Sequence, residues 1–349
     1  MGLGFLKKVG IISLLAVGLS ASVAQASALK EISWKELEGV QVGNAQDKVA
    51  QTGVTVLYFP QTALAGVDIS GGGPASRETP VLAPLTNPTP LNAIVLSGGS
   101  AYGLAAADGV MNTLEKHGIG YKTKYVLVPI VCQSDIYDLG YGSGGRPDAR
   151  MGAEATEAAL KGNNPVSGNV GAGTGATVGK LAGMKRAMKA GIGYSAVQLG
   201  DLKLGAVVVV NALGDIFDHR NGKKIAGVMD ANRQKFVNGV ELMYENNVPK
   251  HITDGRSNTT IGAIVCNGSF NQAELTKIAE MARSAYARSI NPVATMADGD
   301  TIYVAATGKL VKANINMVGT LAAEVMSRAI EDAIKSSKIS DREYLRNCR

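Results

Sequence analysis

Short apolar runs recur along the chain and predict β-strands. They are rich in valine and isoleucine, and glycine or polar clusters bound them. The run at residues 206–210 is apolar at successive positions, which is typical of a strand covered on both faces. The predicted strands are residues 54–59, 92–97, 125–130, 204–211, 260–266 and 301–306.

Apolar residues at helical spacing predict three helices, at residues 101–116, 272–290 and 315–334. Helices and strands mix along the chain without a strict alternation of strand, helix and strand. This order favours sheets covered by helices in a layered α/β sandwich. We therefore predict one domain over residues 27–349.

A polar segment interrupts this pattern at residues 215–258. It holds few branched apolar residues and contains the pairs Asn221-Gly222 and Asp254-Gly255. These features predict a long exposed connection, and a linker between two subdomains is an equal alternative. The segment ends abruptly at Thr259, where a buried strand is predicted to begin.

The first 26 residues have the organisation of a secretory signal. Lys7 and Lys8 precede an apolar run at residues 9–19, and Ala24-Gln25-Ala26 offers a cleavage site between small residues. The apolar run is too short to span a bilayer as a helix. We expect export to the periplasm or medium, cleavage after Ala26 and no stable membrane anchor.

Composition and charge exclude several classes of protein. Only 18% of the 349 residues are charged, which argues against a disordered chain, and the 43 glycines show no collagen period. The net charge is +6, and it falls to +4 without Lys7 and Lys8 because residues 1–26 contain no acid. No basic run is present, so nucleic-acid binding is not expected.

The three cysteines, Cys132, Cys266 and Cys348, are too few and too scattered for a disulfide framework or a zinc site. They leave room for one disulfide after export, without indicating which pair would form it.

A glycine-rich segment at residues 168–180 invites a nucleotide-binding interpretation. It departs from the P-loop pattern because Leu181 follows Lys180 where a hydroxyl residue should stand. It fits G-x-G-x-x-A at Gly171, Gly173 and Ala176, but no predicted strand precedes it. A glycine-rich, non-catalytic or nucleotide-binding α/β protein therefore remains the alternative from another functional class.

Two further patterns suggest catalysis. Ser100 lies between a predicted strand and helix, as the nucleophile of a serine hydrolase would, although the flanking glycine pattern is incomplete. The three histidines stand in polar segments expected to be exposed. Asp298 and Asp300 flank a glycine at a strand entry, where strand alternation would direct both to one side. Such a pair binds a metal, orients a cation or shapes a turn.

Ordered motifs along most of the chain resemble the P1 peptidases. This family contains the self-processing L-aminopeptidase/D-esterases, the β-peptidyl aminopeptidases and the nylon-oligomer hydrolases. The motifs are residues 66–68, 77–79, 96–104, 107–111, 128–130, 137–139, 146–148, 168–180, 258–262 and 298–301. The resemblance implies an αββα fold of the N-terminal-nucleophile hydrolases.

The resemblance also implies self-cleavage between Asn258 and Thr259, which gives chains of residues 27–258 and 259–349. Thr259 would then be the nucleophile, with its freed α-amine as the base. By similarity, Lys180 lowers the pKa of that amine, and Asp298 and Asp300 hold the ammonium.

Asn211 and Tyr137 match family residues near the reacting carbonyl, where an amide and a phenol can donate hydrogen bonds to an oxyanion. A threonine nucleophile with an Asp-Gly-Asp partner is similar to the nylon-oligomer hydrolase branch. The expected activity is hydrolysis of short peptides or peptide-like amide oligomers, of aminopeptidase type. The resemblance implies no metal or organic cofactor, and a homo-oligomer, a tetramer of processed protomers or larger.

Overall fold

A computed structural model describes residues 28–245 and 258–349 of the chain. The predicted signal peptide lies outside the described residues. The α-helices are α1 Ala106–Lys116, α2 Ala149–Lys161, α3 Gly239–Glu245, α4 Gln272–Ala282, α5 Ser284–Ser289, α6 Ile315–Ser336 and α7 Asp341–Asn347. A turn of 3-10 helix at Ser100–Ala105 leads into α1.

The strands fall on either side of the undescribed segment. Before it lie β1 Lys30–Glu31, β2 Gln41–Asp47, β3 Thr52–Ile69, β4 Ser76–Arg77, β5 Leu91–Ser97, β6 Tyr121–Lys122, β7 Leu127–Val128, β8 Val131–Asp135, β9 Thr177–Val178, β10 Met188–Lys189, β11 Ile192–Leu199, β12 Leu202–Asn211, β13 Asp215–Phe217 and β14 Lys224–Ala226. After it lie β15 Thr259–Gly268, β16 Ile290–Asn291 and β17 Thr301–Val311.

The long strand β3 joins two halves of a ten-stranded sheet with the order β1-β11-β12-β15-β17-β3-β5-β8-β4, in which β2 also pairs with β3. Its first half pairs with β2 and β5, and its second half pairs with β17. The Ser134 hydroxyl of β8 lies 2.7 Å from the Tyr303 hydroxyl of β17. The two halves therefore face one another.

Side-chain alternation along β3 produces four layers. Val54, Val56 and Tyr58 pack with residues of α1 and α2, whereas Leu57 and Phe59 join the main core between the sheet halves. Helices α4 and α6 pack on the other half, against β3, β11, β12 and β17. The αββα arrangement that the resemblance implied is confirmed.

Glycine lets a helix approach this sheet closely. A Cβ at Gly193 of β11 would lie 2.1 Å from the Ala329 carbonyl oxygen of α6. Within the described residues, no helix is both long and apolar enough to cross a membrane. All three cysteines are free thiols, so the disulfide that the sequence left open is not formed in this structure.

Most predicted elements are confirmed, with shifted ends. Strands β3, β5, β12, β15 and β17 include or overlap the predicted runs, and α6 begins at the predicted residue. The strand predicted at residues 125–130 is wrong, because only Leu127–Val128 is a strand and β8 begins after it. Helix α2 was not predicted. The single helix predicted at residues 272–290 is two helices, α4 and α5, and Ile290 already belongs to strand β16.

The prediction of an exposed connection at residues 215–258 is wrong for its first part. Strand β13 pairs with β14 and β16, and Asp215 is buried beside Lys224, with 2.5 Å between carboxylate and ammonium. Helix α3 follows, and residues 246–257 lie outside the described part. Strands β13 and β14 have only three residues each, too few for a periodic signal, which explains the miss.

Candidate active site

Thr259 begins β15 at the meeting point of several buried polar side chains. Strand pairing places it opposite Asn211, the last residue of β12, and its exposure is 4%. The Thr259 hydroxyl donates to the carbonyl oxygen of the preceding Asn258. A Cβ at Gly299 would lie 2.9 Å from that hydroxyl oxygen, so glycine there leaves space for the threonine side chain. The hydroxyl is thus next to the peptide bond predicted to break.

Asn211 connects this threonine to the end of the glycine-rich segment. Its Oδ1 accepts hydrogen bonds from the Lys180 ammonium at 2.9 Å and from the Thr177 amide at 3.0 Å. Its Nδ2 donates to the Tyr137 carbonyl oxygen at 2.8 Å. The amide group is fully buried, so these bonds determine its orientation.

Lys180 follows a turn that requires glycine. Gly179 has a φ of +72°, and a Cβ there would lie 2.2 Å from the carbonyl carbon of Gly227. The Lys180 ammonium donates to the backbone oxygen of Asn211 at 3.0 Å as well as to its side chain. Burial lowers the pKa of Lys180 to about 7, against the opposing charges of Asp298, Asp138 and Asp300. A lysine that titrates near neutrality can exchange protons.

Asp298 and Asp300 lie in the loop before β17, so strand alternation does not direct them as predicted. Both are nevertheless buried. Asp300 accepts from the amides of Thr260 at 2.6 Å and Ala294 at 2.9 Å. Asp298 accepts from the Thr295 amide at 2.8 Å and hydroxyl at 2.6 Å. These bonds hold the two carboxylates on either side of Gly299, the residue that borders the Thr259 hydroxyl.

The two carboxyl groups share an unusual electrostatic environment. Burial raises the pKa of both, and the charge of Asp298 raises the pKa of Asp300 further. Lys180 acts in the opposite direction on each pKa. Buried groups with shifted pKa values that face one another are typical of catalytic sites, although structural networks share this property.

Tyr137 lies on the wall of a cavity of about 200 Å³ that also borders Lys180 and Thr177. Its backbone carbonyl holds the Asn211 amide, as described above. The structure thus brings Tyr137, Lys180 and Asn211 together, while a phenol bond to an oxyanion stays a prediction.

Two buried charged residues near the site were missed by the sequence analysis. Asp138 accepts from the Thr52 hydroxyl at 2.6 Å and the Gly99 amide at 2.8 Å, and burial raises its pKa to about 6. Lys189 donates to the carbonyl oxygens of Ala176 and Gly173. The only sequence signal for Asp138 was its place in the motif at residues 137–139.

The glycine-rich segment packs against the protein's own strands. The amides of Gly171 and Ala172 donate to Gln46 and Thr55 side chains. A Cβ at Gly173 would lie 2.3 Å from the Ile192 amide nitrogen. The glycines are therefore needed for close internal packing, and these amides are not available to a phosphate.

The described histidines bind carboxylates and not Ser100. His117 contacts Glu157 at 3.0 Å. The side chain of His219 is only 4% exposed, which contradicts the expected exposure, because it lies between Glu324 and Glu331 of α6. His251 lies outside the described residues. A cluster of three side chains, Asp218, His219 and Glu331, has its ligand atoms within 4.8 Å of one another, close enough to hold a metal ion. The cluster contains none of the predicted site residues.

Comparisons with known proteins show the family to which the chain belongs. The model of peptidase family S58 matches residues 35–342. An uncharacterised aminopeptidase of Mycobacterium tuberculosis is 34% identical over 84% of this chain and 91% of its own length. A 6-aminohexanoate-oligomer endohydrolase of Kocuria is 33% identical over 86% of this chain and 85% of its own.

Solved structures show the same fold. A β-aminopeptidase of Burkholderia superposes with a TM-score of 0.61 at 19% identity, over 89% of this chain and 91% of its own. The L-aminopeptidase D-Ala-esterase/amidase of Ochrobactrum anthropi, described as a variant of the Ntn hydrolase fold, gives 0.61 at 15% identity, over 89% and 92%. The chain has this fold and belongs to peptidase family S58, whose members hydrolyse peptide or amide bonds.

Proposed function

We propose that the protein is an exported, self-processing threonine hydrolase that acts on short peptides or peptide-like amide oligomers. The observation that carries this proposal is the Thr259 hydroxyl bonded to the Asn258 carbonyl, beside Asn211 and the two buried aspartates. A hydroxyl in that position is the group closest to the bond that must break.

Self-cleavage would begin with attack of Thr259 Oγ1 on the carbonyl carbon of Asn258. The carbon–nitrogen bond breaks, the Thr259 nitrogen takes a proton, and an ester joins the two chains. Water then hydrolyses the ester, which leaves a carboxylate on Asn258 and a free amine and hydroxyl on Thr259. The freed amine, with an ordinary pKa of about 7.7–8.0, can serve as the base in later cycles.

Substrate hydrolysis would reuse the same hydroxyl. The amine takes the proton of Thr259 Oγ1 as it attacks the substrate carbonyl, and the carboxylates of Asp298 and Asp300 stabilise the ammonium that forms. The ammonium then gives this proton to the substrate nitrogen as the carbon–nitrogen bond breaks, and water hydrolyses the ester left on Thr259. Lys180, with its pKa near 7, favours the neutral amine before attack. Asn211 and Tyr137 are the proposed donors to the oxyanion.

The names of the relatives support the substrate class. They include aminopeptidases and 6-aminohexanoate-oligomer endohydrolases, and the substrates that these names imply contain amide bonds. We propose the broader class, short peptides and peptide-like oligomers, with export directed by residues 1–26 and a homo-oligomer as the assembled form.

The deciding experiment is intact-mass analysis of the purified protein with sequencing of the smaller fragment. We expect that fragment to begin Thr-Thr-Ile-Gly. Thr259→Ala should abolish both processing and hydrolysis, because one hydroxyl acts in both reactions. Thr259→Ser, the matched control, keeps a hydroxyl on Cβ and should still process.

Other outcomes would overturn the mechanism. A fragment that starts elsewhere, or a stable single chain with full activity, would contradict cleavage at Asn258. If uncut Thr259→Ala protein still hydrolyses amides, Thr259 is structural and Ser100 becomes the nucleophile to test. Nucleotide binding by a chain that never cleaves would instead support the non-catalytic alternative.

A further inference from the structure

The cavity beside Lys180 has two walls from distant parts of the chain. Residues 137–141 form one wall, and residues 183–184 form the other. The charged groups that border the cavity have partners of their own. The Asp138 carboxylate accepts from Thr52 and Gly99, and the Lys180 ammonium donates to Asn211. The tyrosine and methionine side chains of the two walls suit an uncharged aliphatic or aromatic group.

Helix α7 near the C-terminus connects these walls from behind. The Tyr344 ring stacks on Tyr141, with centroids 5.4 Å apart and planes at 23°. The Tyr344 hydroxyl donates to the Met184 carbonyl at 2.8 Å. One fully buried side chain thus contacts both walls, and it sets their separation.

The last residues add backbone bonds to the same wall. The Gly142 amide donates to the Asn347 carbonyl at 2.7 Å, and the Arg349 amide donates to the Gly140 carbonyl at 3.2 Å. The Arg349 guanidinium donates to the Gly142 carbonyl at 2.8 Å. The wall at residues 140–142 is therefore paired along its backbone with the end of the chain.

Arg233 fixes this helix to the second wall. Its guanidinium lies 4.8 Å from the Tyr344 ring centroid and 2.8 Å from the Asp341 carboxylate. It also donates to the Lys185 and Ala187 carbonyls at 2.8 Å. The arginine side chain is only 8% exposed and Tyr344 is fully buried, so the ring contact is shielded from solvent, whereas Asp341 is 56% exposed and its ion pair is open to water.

From these contacts we propose that residues 341–349 determine substrate specificity by holding the width of the cavity. The family match ends at residue 342, so most of this segment lies beyond it. Tyr344 acts through Tyr141 and Met184 and is a positioning residue. The inference rests on the proposed function, because the cavity is taken to receive the uncharged side group next to the reacting amide.

Selectivity between two substrates tests this inference. The probes are the p-nitroanilides of alanine and leucine, which share a leaving group and differ in side-chain size. Tyr344→Ala should lower the leucine-to-alanine ratio of kcat/KM at least threefold, mainly through the KM of the leucine substrate. Self-cleavage should be unchanged. Arg342→Ala, exposed on the same helix, is the matched control and should keep the wild-type ratio.

Two milder variants keep the test decisive if Tyr344→Ala does not fold. Tyr344→Phe keeps the ring stack and loses the bond to Met184, so it should shift the ratio in the same direction. Gly140→Ala places a methyl 3.7 Å from Met184 Cγ inside the cavity and should also disfavour leucine.

An unchanged ratio in Tyr344→Phe and Gly140→Ala would overturn the inference while leaving the proposed function intact. Wild-type protein that hydrolyses neither anilide and never cleaves itself would overturn the proposed function, and the inference with it.

Discussion

Two lysines, nine positions apart in the chain, have similarly lowered pKa values but different hydrogen-bond partners. Burial lowers the pKa of both Lys180 and Lys189 to about 7. The Lys180 ammonium contacts the side chain and backbone of Asn211, and its pKa is raised by the charges of Asp298, Asp138 and Asp300. The Lys189 ammonium contacts backbone carbonyls and responds to Asp138.

The comparison teaches that a shifted pKa does not identify a catalytic group. Desolvation acts on any buried ammonium, whatever surrounds it. What separates the two lysines is the partner: Asn211 pairs with Thr259 across two strands, whereas the carbonyls of Gly173, Ala176 and Ala190 hold the glycine-rich segment in shape. We therefore propose that Lys180 takes part in the reaction and that Lys189 stabilises the fold.

The largest expected difference follows from replacing each lysine with methionine, which has a similar length and no charge. Lys180→Met should lower kcat/KM on a small amide by about 100-fold or more, since it removes the charge proposed to favour the neutral Thr259 amine, which is the base of the reaction. Lys189→Met should cost less than about tenfold. The measurement is kcat/KM per processed molecule. Equal losses in the two variants would remove the distinction.

A smaller effect is expected from Asp298 and Asp300, whose charges raise the pKa of Lys180 and not that of Lys189. Asp298→Asn or Asp300→Asn should lower kcat/KM by about tenfold to more than 100-fold, because a charge-assisted hydrogen bond contributes about 1.5–3 kcal/mol. Loss of one negative charge should also lower the pKa of Lys180 and move the acidic limb of the pH profile to lower pH. Each variant should keep its thermal midpoint.

A loss of less than about threefold with an unmoved pH profile would leave the aspartates as turn residues. Both would then leave the set of proposed catalytic groups, and Lys180 would lose the feature that distinguishes it from Lys189.

The smallest expected effect is on stability, and it tests whether Lys189 serves the fold. Its pKa is about 7 in the folded protein and about 10.4 when unfolded, so the unfolded chain binds more protons between these values. The free energy of unfolding should therefore rise as the pH increases from about 7 to about 10.4. This gain in stability is lost again as the pH falls to about 7. Lys189→Met should remove its share of that rise.

Urea unfolding at pH 7 and pH 9 measures this share. The Thr259→Ala background keeps one polypeptide, so unfolding is not complicated by two chains. A variant with the same gain in stability between the two pH values as its parent would show that Lys189 is not buried as described.

Local sequence patterns predicted those helices and strands in which large apolar residues stand out clearly from polar ones. The helix predicted at residues 315–334 is α6, because leucine, valine and alanine recur on one face over five turns. Helix α2 was missed since four of its five buried residues are glycine, alanine or threonine, and Met151 is the one large apolar residue among them. Strand β8 was missed because its buried Gln133 and Ser134 are polar, and their partners, the Ala107 amide and the Tyr303 hydroxyl, come from elsewhere.

By itself the sequence determined which chemistry is present: a threonine where a polar segment meets a buried strand, a lysine at the end of a glycine-rich segment and a spaced pair of aspartates. Only the tertiary structure decided that Lys180 faces Asn211 while Lys189 faces carbonyl groups, and that Tyr344 reaches Met184. The physical reason is that these contacts join residues far apart in the chain, often through backbone atoms that every residue carries.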